Sequence, residues 1–170
     1  MTPVRRIALC FAACLAVAGC ETVDEKQDPL GANVIDDAGL GDLMLTAGDP
    51  EEAVTYFRNA LAEEPDRADM RRGLAISLAR AGRLTEASRV YEELETLDQA
   101  TPTDRLAHAL VAVRLDRWEE ARRLEAGLPA SLATPRRHVL TGMLADRRED
   151  WEGADAAYRR RVHLAANPAG

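Results

Sequence analysis

The residue types able to do chemistry are few, and most stand at the wrong spacing. Acyl transfer by a serine nucleophile needs a histidine and an acid beside it, but Ser77, Ser88 and Ser131 show no recognised motif spacing to His108, His138 or His163. Those three histidines are far apart in the chain, and no Cys or carboxylate spacing around them resembles a ligand set, so no metal and no cofactor is expected. No glycine-rich phosphate loop is present, and the paired acids Glu51-Glu52, Glu92-Glu93 and Glu119-Glu120 read as solvated helix turns, favoured there by the helix dipole. The chain is expected not to be an enzyme and to take no small-molecule substrate. What remains is guanidinium chemistry. Arg80, Arg114 and Arg147 recur at spacings of 34 and 33 residues, and a guanidinium fork grips a carboxylate through two parallel hydrogen bonds.

The same period runs through the elements that must position these side chains. Ala53, Ala87, Ala121 and Ala154 follow one another at 34, 34 and 33 residues, each three positions after Pro50, Leu84, Trp118 or Trp151. Twelve residues upstream of each stands another small residue: Gly41, Ala75, Ala109 and Gly142. Small residues let two helices approach closely, and a period of this length marks stacked helical hairpins that bury their apolar faces jointly. Asp49-Pro50, Thr101-Pro102 and Thr134-Pro135 each put a capping side chain before a proline at the first helical position. Gly48 and Gly82 are expected to end helices in the left-handed conformation. No segment has strand periodicity.

These segments resemble the tetratricopeptide repeat. The aromatic expected four residues after the alanine is present as Phe57, Tyr91 and Tyr158, but the third unit has Glu125 there. Pro65 closes the first repeat at the family's position, while the bulky residue usual early in the first helix is replaced by Asp37, Arg71, Arg105 and His138. The expected fold is all-α, a superhelical solenoid of four hairpins with repeats at 34–67, 68–101, 102–134 and 135–168. The resemblance implies a concave groove lined by the first helices, and its register projects onto Arg72, Ile76, Arg80, Leu106, Leu110, Val113, Arg114, Arg136, Val139, Met143 and Arg147. A row of arginines beside apolar pockets suits a peptide bearing carboxylates. The alternative is that these arginines pair with Asp116, Asp146 or Glu149 and only solvate helix ends. The carboxylate-clamp form of the family uses lysine and asparagine in its groove; neither stands there here, so chaperone-tail recognition is not implied. Arg159-Arg160-Arg161 reads as the polar outer face of a terminal repeat. Trp118 and Trp151 read as packing residues between hairpins.

The N-terminus supplies a location. Arg5 and Arg6 precede the apolar run Ile7 to Ala18, the pattern of a secretory signal spanning residues 1–19. The closing Val17-Ala18-Gly19-Cys20 looks like a bacterial lipobox, which implies cleavage before Cys20 and acylation of its thiol and new amine. Ordinary cleavage near Ala18 and an uncleaved anchor are the alternatives, though the run is short of the ~20 residues that span a bilayer. Cys10, Cys14 and Cys20 are the only cysteines, so the segment beyond them has none for a disulfide. Residues 20–33 read as an acidic tether reaching about 20 Å. Glu21 after the cysteine, in place of the aspartate that retains enteric lipoproteins in the inner membrane, favours the periplasmic face of the outer membrane, with the inner membrane as the alternative. Residues 21–66 hold thirteen acids against Lys26 and Arg58, whereas residues 67–170 hold sixteen acids against eighteen arginines. A chain of net charge −7 with a secretory signal is not expected to bind nucleic acid. The chain is similar to small repeat lipoproteins that assist Tad-type pilus assembly and to pilotins. That likeness implies a scaffold for an envelope complex, with an adaptor for a peptidoglycan hydrolase or protease as the alternative.

Overall fold

The computed structural model describes residues 37–166, and the signal, Cys20 and the tether lie outside the described residues. Among the described residues every regular element is a helix: α1 (Asp37–Thr46), α2 (Pro50–Glu63), α3 (Ala68–Arg80), α4 (Leu84–Thr96), α5 (Pro102–Arg114), α6 (Trp118–Ala126), α7 (Pro135–Asp146) and α8 (Trp151–Ala166). Consecutive pairs form four hairpins that stack in chain order, an all-α solenoid.

Local chemistry fixes three of the helix starts. The Asp49 carboxylate accepts from the amides of Glu51 and Glu52 at 2.9 and 3.3 Å, ahead of Pro50. Thr101 and Asp104 form a reciprocal capping box, and Thr134 Oγ1 accepts from the Arg137 amide at 3.2 Å. Proline stands directly after each cap, where its missing N–H leaves no orphan donor.

The turn inside each hairpin repeats as well. Gly82, Asp116 and Glu149 occupy it at positive φ, 77°, 62° and 61°, in the register of the repeat. Two L-residues thus hold a conformation that glycine adopts freely and that costs them about 1 kcal/mol each. Gly48, the equivalent residue of the first hairpin, does not have positive φ. Its requirement is space: a Cβ there would lie 2.8 Å from the carbonyl oxygen of Met44.

The alanine ladder is the packing seam. Ala53, Ala87, Ala121 and Ala154 are buried, as are their partners Gly41, Ala75, Ala109 and Gly142. Aromatics close the remaining gaps. Phe57 lies against Gly41 of its own hairpin and Gly73 of the next, and Tyr158 lies against Gly142. Two apolar clusters meet at α5, where Val111 faces Leu74, Leu78, Tyr91 and Leu94 while Leu106, Ala109, Ala112 and Val113 pack with Ala121, Leu140 and Leu144. In the third hairpin Glu125 replaces the aromatic and turns to α7, where Arg137 stands 3.5 Å away. Among the described residues one buried hydroxyl, Ser77 Oγ, finds no hydrogen-bond partner.

The two tryptophans part company. Trp118 is half-buried, its indole N–H on the Asp116 carboxylate and its ring 5.6 Å from the Arg147 guanidinium. Trp151 is 67 % exposed, which corrects its reading as a packing residue. The reason is positional: Trp118 is covered by the next hairpin along the chain, and among the described residues no hairpin comes after α8.

Candidate functional site: a groove along the first helices

Helices α3, α5 and α7 present one concave groove of about 580 Å³. Of the residues projected there from the repeat register, it brings together Arg72, Ile76, Arg80, Leu110, Arg114, Arg136 and Met143. Ala79, Tyr91, Ala107 and Val111 complete its apolar lining. Leu106 and Val113 are instead buried in the core, Val139 is half-buried outside the groove, and Arg147 lies with Trp118 in a separate depression. The register assigned the correct helices but not which of two adjacent helix faces each residue takes.

The four groove arginines differ in what they hold. Arg72 Nε lies 2.8 and 2.9 Å from the two carboxylate oxygens of Asp104, and that carboxylate, 4 % exposed, also accepts from the Thr101 amide and hydroxyl at 2.8 and 2.7 Å. The pair is satisfied, so it adds no net charge; removing Arg72 would leave the buried Asp104 carboxylate without its cation. Arg80 donates to the carbonyls of Leu45, Gly48 and Met44 at 2.7, 3.2 and 3.3 Å. Arg114 donates to the carbonyl of Ala79 at 3.1 Å, one repeat further on. Neither is paired with Asp116, Asp146 or Glu149, the acids expected from the sequence. Each guanidinium instead caps the negative C-terminal end of the preceding hairpin's first helix. Arg136, exposed on the first turn of α7, makes no such bond. Three uncancelled cations therefore border an apolar floor. Tyr91 lies in that floor, and burial together with the nearby Asp104 charge pushes its phenol up to about 12.

A second cluster joins a histidine to acids that stand at no recognised linear spacing from it. His108, 2 % exposed on α5, places Nε2 3.1 Å from Ser88 Oγ of α4 and 3.4 Å from Glu120 of α6, and Nδ1 3.0 Å from Glu95 of α4. Serine, histidine and acid thus stand at the distances of a hydrolytic triad. Ser88 is 1 % exposed within a helix, so a substrate carbonyl cannot reach its oxygen. No linear motif announces the cluster, because its members come from three helices.

Paired antiparallel helices, a ladder of small residues and a groove along the first helices define a solenoid of tetratricopeptide type. The family profile described as Tetratricopeptide repeat matches residues 39–104. A curated relative, "Cellulose synthase operon protein C" of Xanthomonas axonopodis pv. citri (strain 306), is 36 % identical over 95 residues, 56 % of this chain. The match spans 6 % of that protein's length. Among solved structures, residues 41 to the end of MamA from Desulfovibrio magneticus RS-1 superpose with a TM-score of 0.64 at 22 % identity, over 77 % of this chain and 73 % of that one. The APC/C hetero-tetramer Cut9-Hcn1 gives 0.68 at 19 % identity, over 76 % and 25 %. These likenesses carry the fold.

Proposed function

We propose that this chain is a binding scaffold, lipid-anchored at the periplasmic face of the outer membrane, whose groove holds an extended or helical segment of a partner protein. The carrying observation is the combination in one concavity of Ile76, Leu110, Val111 and Met143 with Arg80, Arg114 and Arg136, whose charges no carboxylate cancels. Apolar anchors seat in such a floor while acidic side chains engage the rim. The anchor reading rests on the sequence from Arg5 to Cys20, and assembly of an envelope complex such as a pilus or secretion system is the task that a tethered groove of this kind suits.

Arg136→Glu separates recognition from folding, because Arg136 is exposed and makes no hydrogen bond or ion pair among the described residues. Crosslinking in the native envelope is expected to lose a partner in this variant at unchanged helicity; retention of every partner rejects the groove. Cys20→Ala, or globomycin treatment, is expected to move the protein out of the membrane fraction, and unchanged fractionation rejects the anchor.

A further inference from the structure

We propose that His108, Glu92 and Glu120 form a binding site for a divalent transition-metal ion of the zinc class, separate from the groove. One nitrogen and two carboxylate oxygens of these residues lie within 4.8 Å of one another. Two donor atoms held at about 2.1 Å by one tetrahedral ion stand about 3.4 Å apart. That is the separation of His108 Nε2 from Glu120 Oε1, 3.4 Å.

The surroundings set the imidazole in its ligating form. A carboxylate has no proton to give, so the 3.0 Å contact of Glu95 with Nδ1 is a hydrogen bond donated by Nδ1–H. This leaves the Nε2 lone pair on the side where Ser88 Oγ stands 3.1 Å and Glu120 Oε1 3.4 Å away, so a bound ion would take the place of the Ser88 contact, with a carboxylate behind the ring to orient the metal-bound histidine. Glu92 and Glu95 lie on one face of α4, His108 comes from α5 and Glu120 from α6, so two adjacent hairpins contribute donors. Charge agrees with a dication: three carboxylates face the ring, opposed by Arg117, 3.6 Å from Glu120, and by Arg123 at the rim. A depression of about 400 Å³ lined by Glu92, Glu95, His108, Glu120, Arg123 and Leu124 leaves room for the ion and its waters, and it shares no residue with the groove. Histidine with two carboxylates suits Zn²⁺, and Co²⁺ as its spectroscopic substitute.

The test titrates Zn²⁺, then Co²⁺, into the full chain after chelator treatment, by calorimetry and visible absorption. One ion per chain is expected, with Co²⁺ bands free of thiolate charge transfer and a rise in melting temperature on adding Zn²⁺. Glu92→Gln and Glu120→Gln keep the side-chain volumes and are each expected to weaken Zn²⁺ binding at least tenfold, whereas Arg136→Glu leaves it unchanged. His108→Ala is unsuitable alone, because it empties a buried position. Absence of binding, or binding that the glutamine variants leave intact, overturns the proposal; in the second case thiolate bands would assign the ion to Cys10, Cys14 and Cys20.

Discussion

Ser77 occupies a core position whose counterparts one and two repeats on, Val111 and Leu144, are apolar, and its hydroxyl has given up water without gaining a partner among the described residues. A buried unsatisfied hydroxyl costs on the order of 1 kcal/mol or more. Ser77→Ala is therefore expected to raise the melting temperature by several degrees, measured by circular dichroism; a fall would mean that the oxygen has a partner after all. At this scale the sequence speaks clearly where chemistry is local. Asp49, Thr101 and Thr134 cap amides two or three residues away, and each is visible as a short polar residue before a proline. It is silent where the partner is a backbone carbonyl: nothing in the residue types around Arg80 marks the oxygens of Met44, Leu45 and Gly48 as its acceptors. The cluster around His108 is hidden for a related reason, since its acids lie sixteen and thirteen residues before it and twelve after it on neighbouring helices.

Within the helices, the same register position makes opposite demands in different repeats. At Gly41 an added Cβ would lie 3.6 Å from Phe57, ordinary contact, whereas at Gly142 it would lie 2.4 Å from Cε1 of Tyr158. The Tyr158 ring cannot retreat freely, because its hydroxyl donates to Asp146 at 2.6 Å. Gly41→Ala is expected to stabilise by about 0.5–1 kcal/mol through helix propensity, and Gly142→Ala to destabilise by about 1–3 kcal/mol through overpacking. Urea unfolding of the two variants checks both signs, and equal signs would reject the packing account. Smallness was legible in the sequence as a ladder; the tolerance of each rung was not, because it depends on whether an aromatic is pinned.

For the whole molecule, the contacts between neighbouring hairpins include apolar seams, side-chain ion pairs such as Arg72–Asp104, and arginines that reach back one repeat to backbone carbonyls. Arg80→Ala and Arg114→Ala each remove charge-assisted bonds to helix-end carbonyls, at an expected cost of about 1 kcal/mol. Hydrogen exchange should localise the loss to the end of α1 in the first variant and of α3 in the second; uniform loss across all helices would deny that the contact acts between neighbours. The solenoid itself was readable from Ala53 to Ala154, because period and small side chains are properties of the chain. The exposure of Trp151 was not, because it depends on whether a further hairpin packs over α8. The back-reaching arginines also give the groove a mechanical property. A carboxylate that drew Arg80 or Arg114 towards itself would take that guanidinium from the helix end it secures, so ligand affinity and superhelical pitch are two readings of one equilibrium. A tightly held ligand should then change the spring constant of the array, and a stretched array should hold its ligand differently.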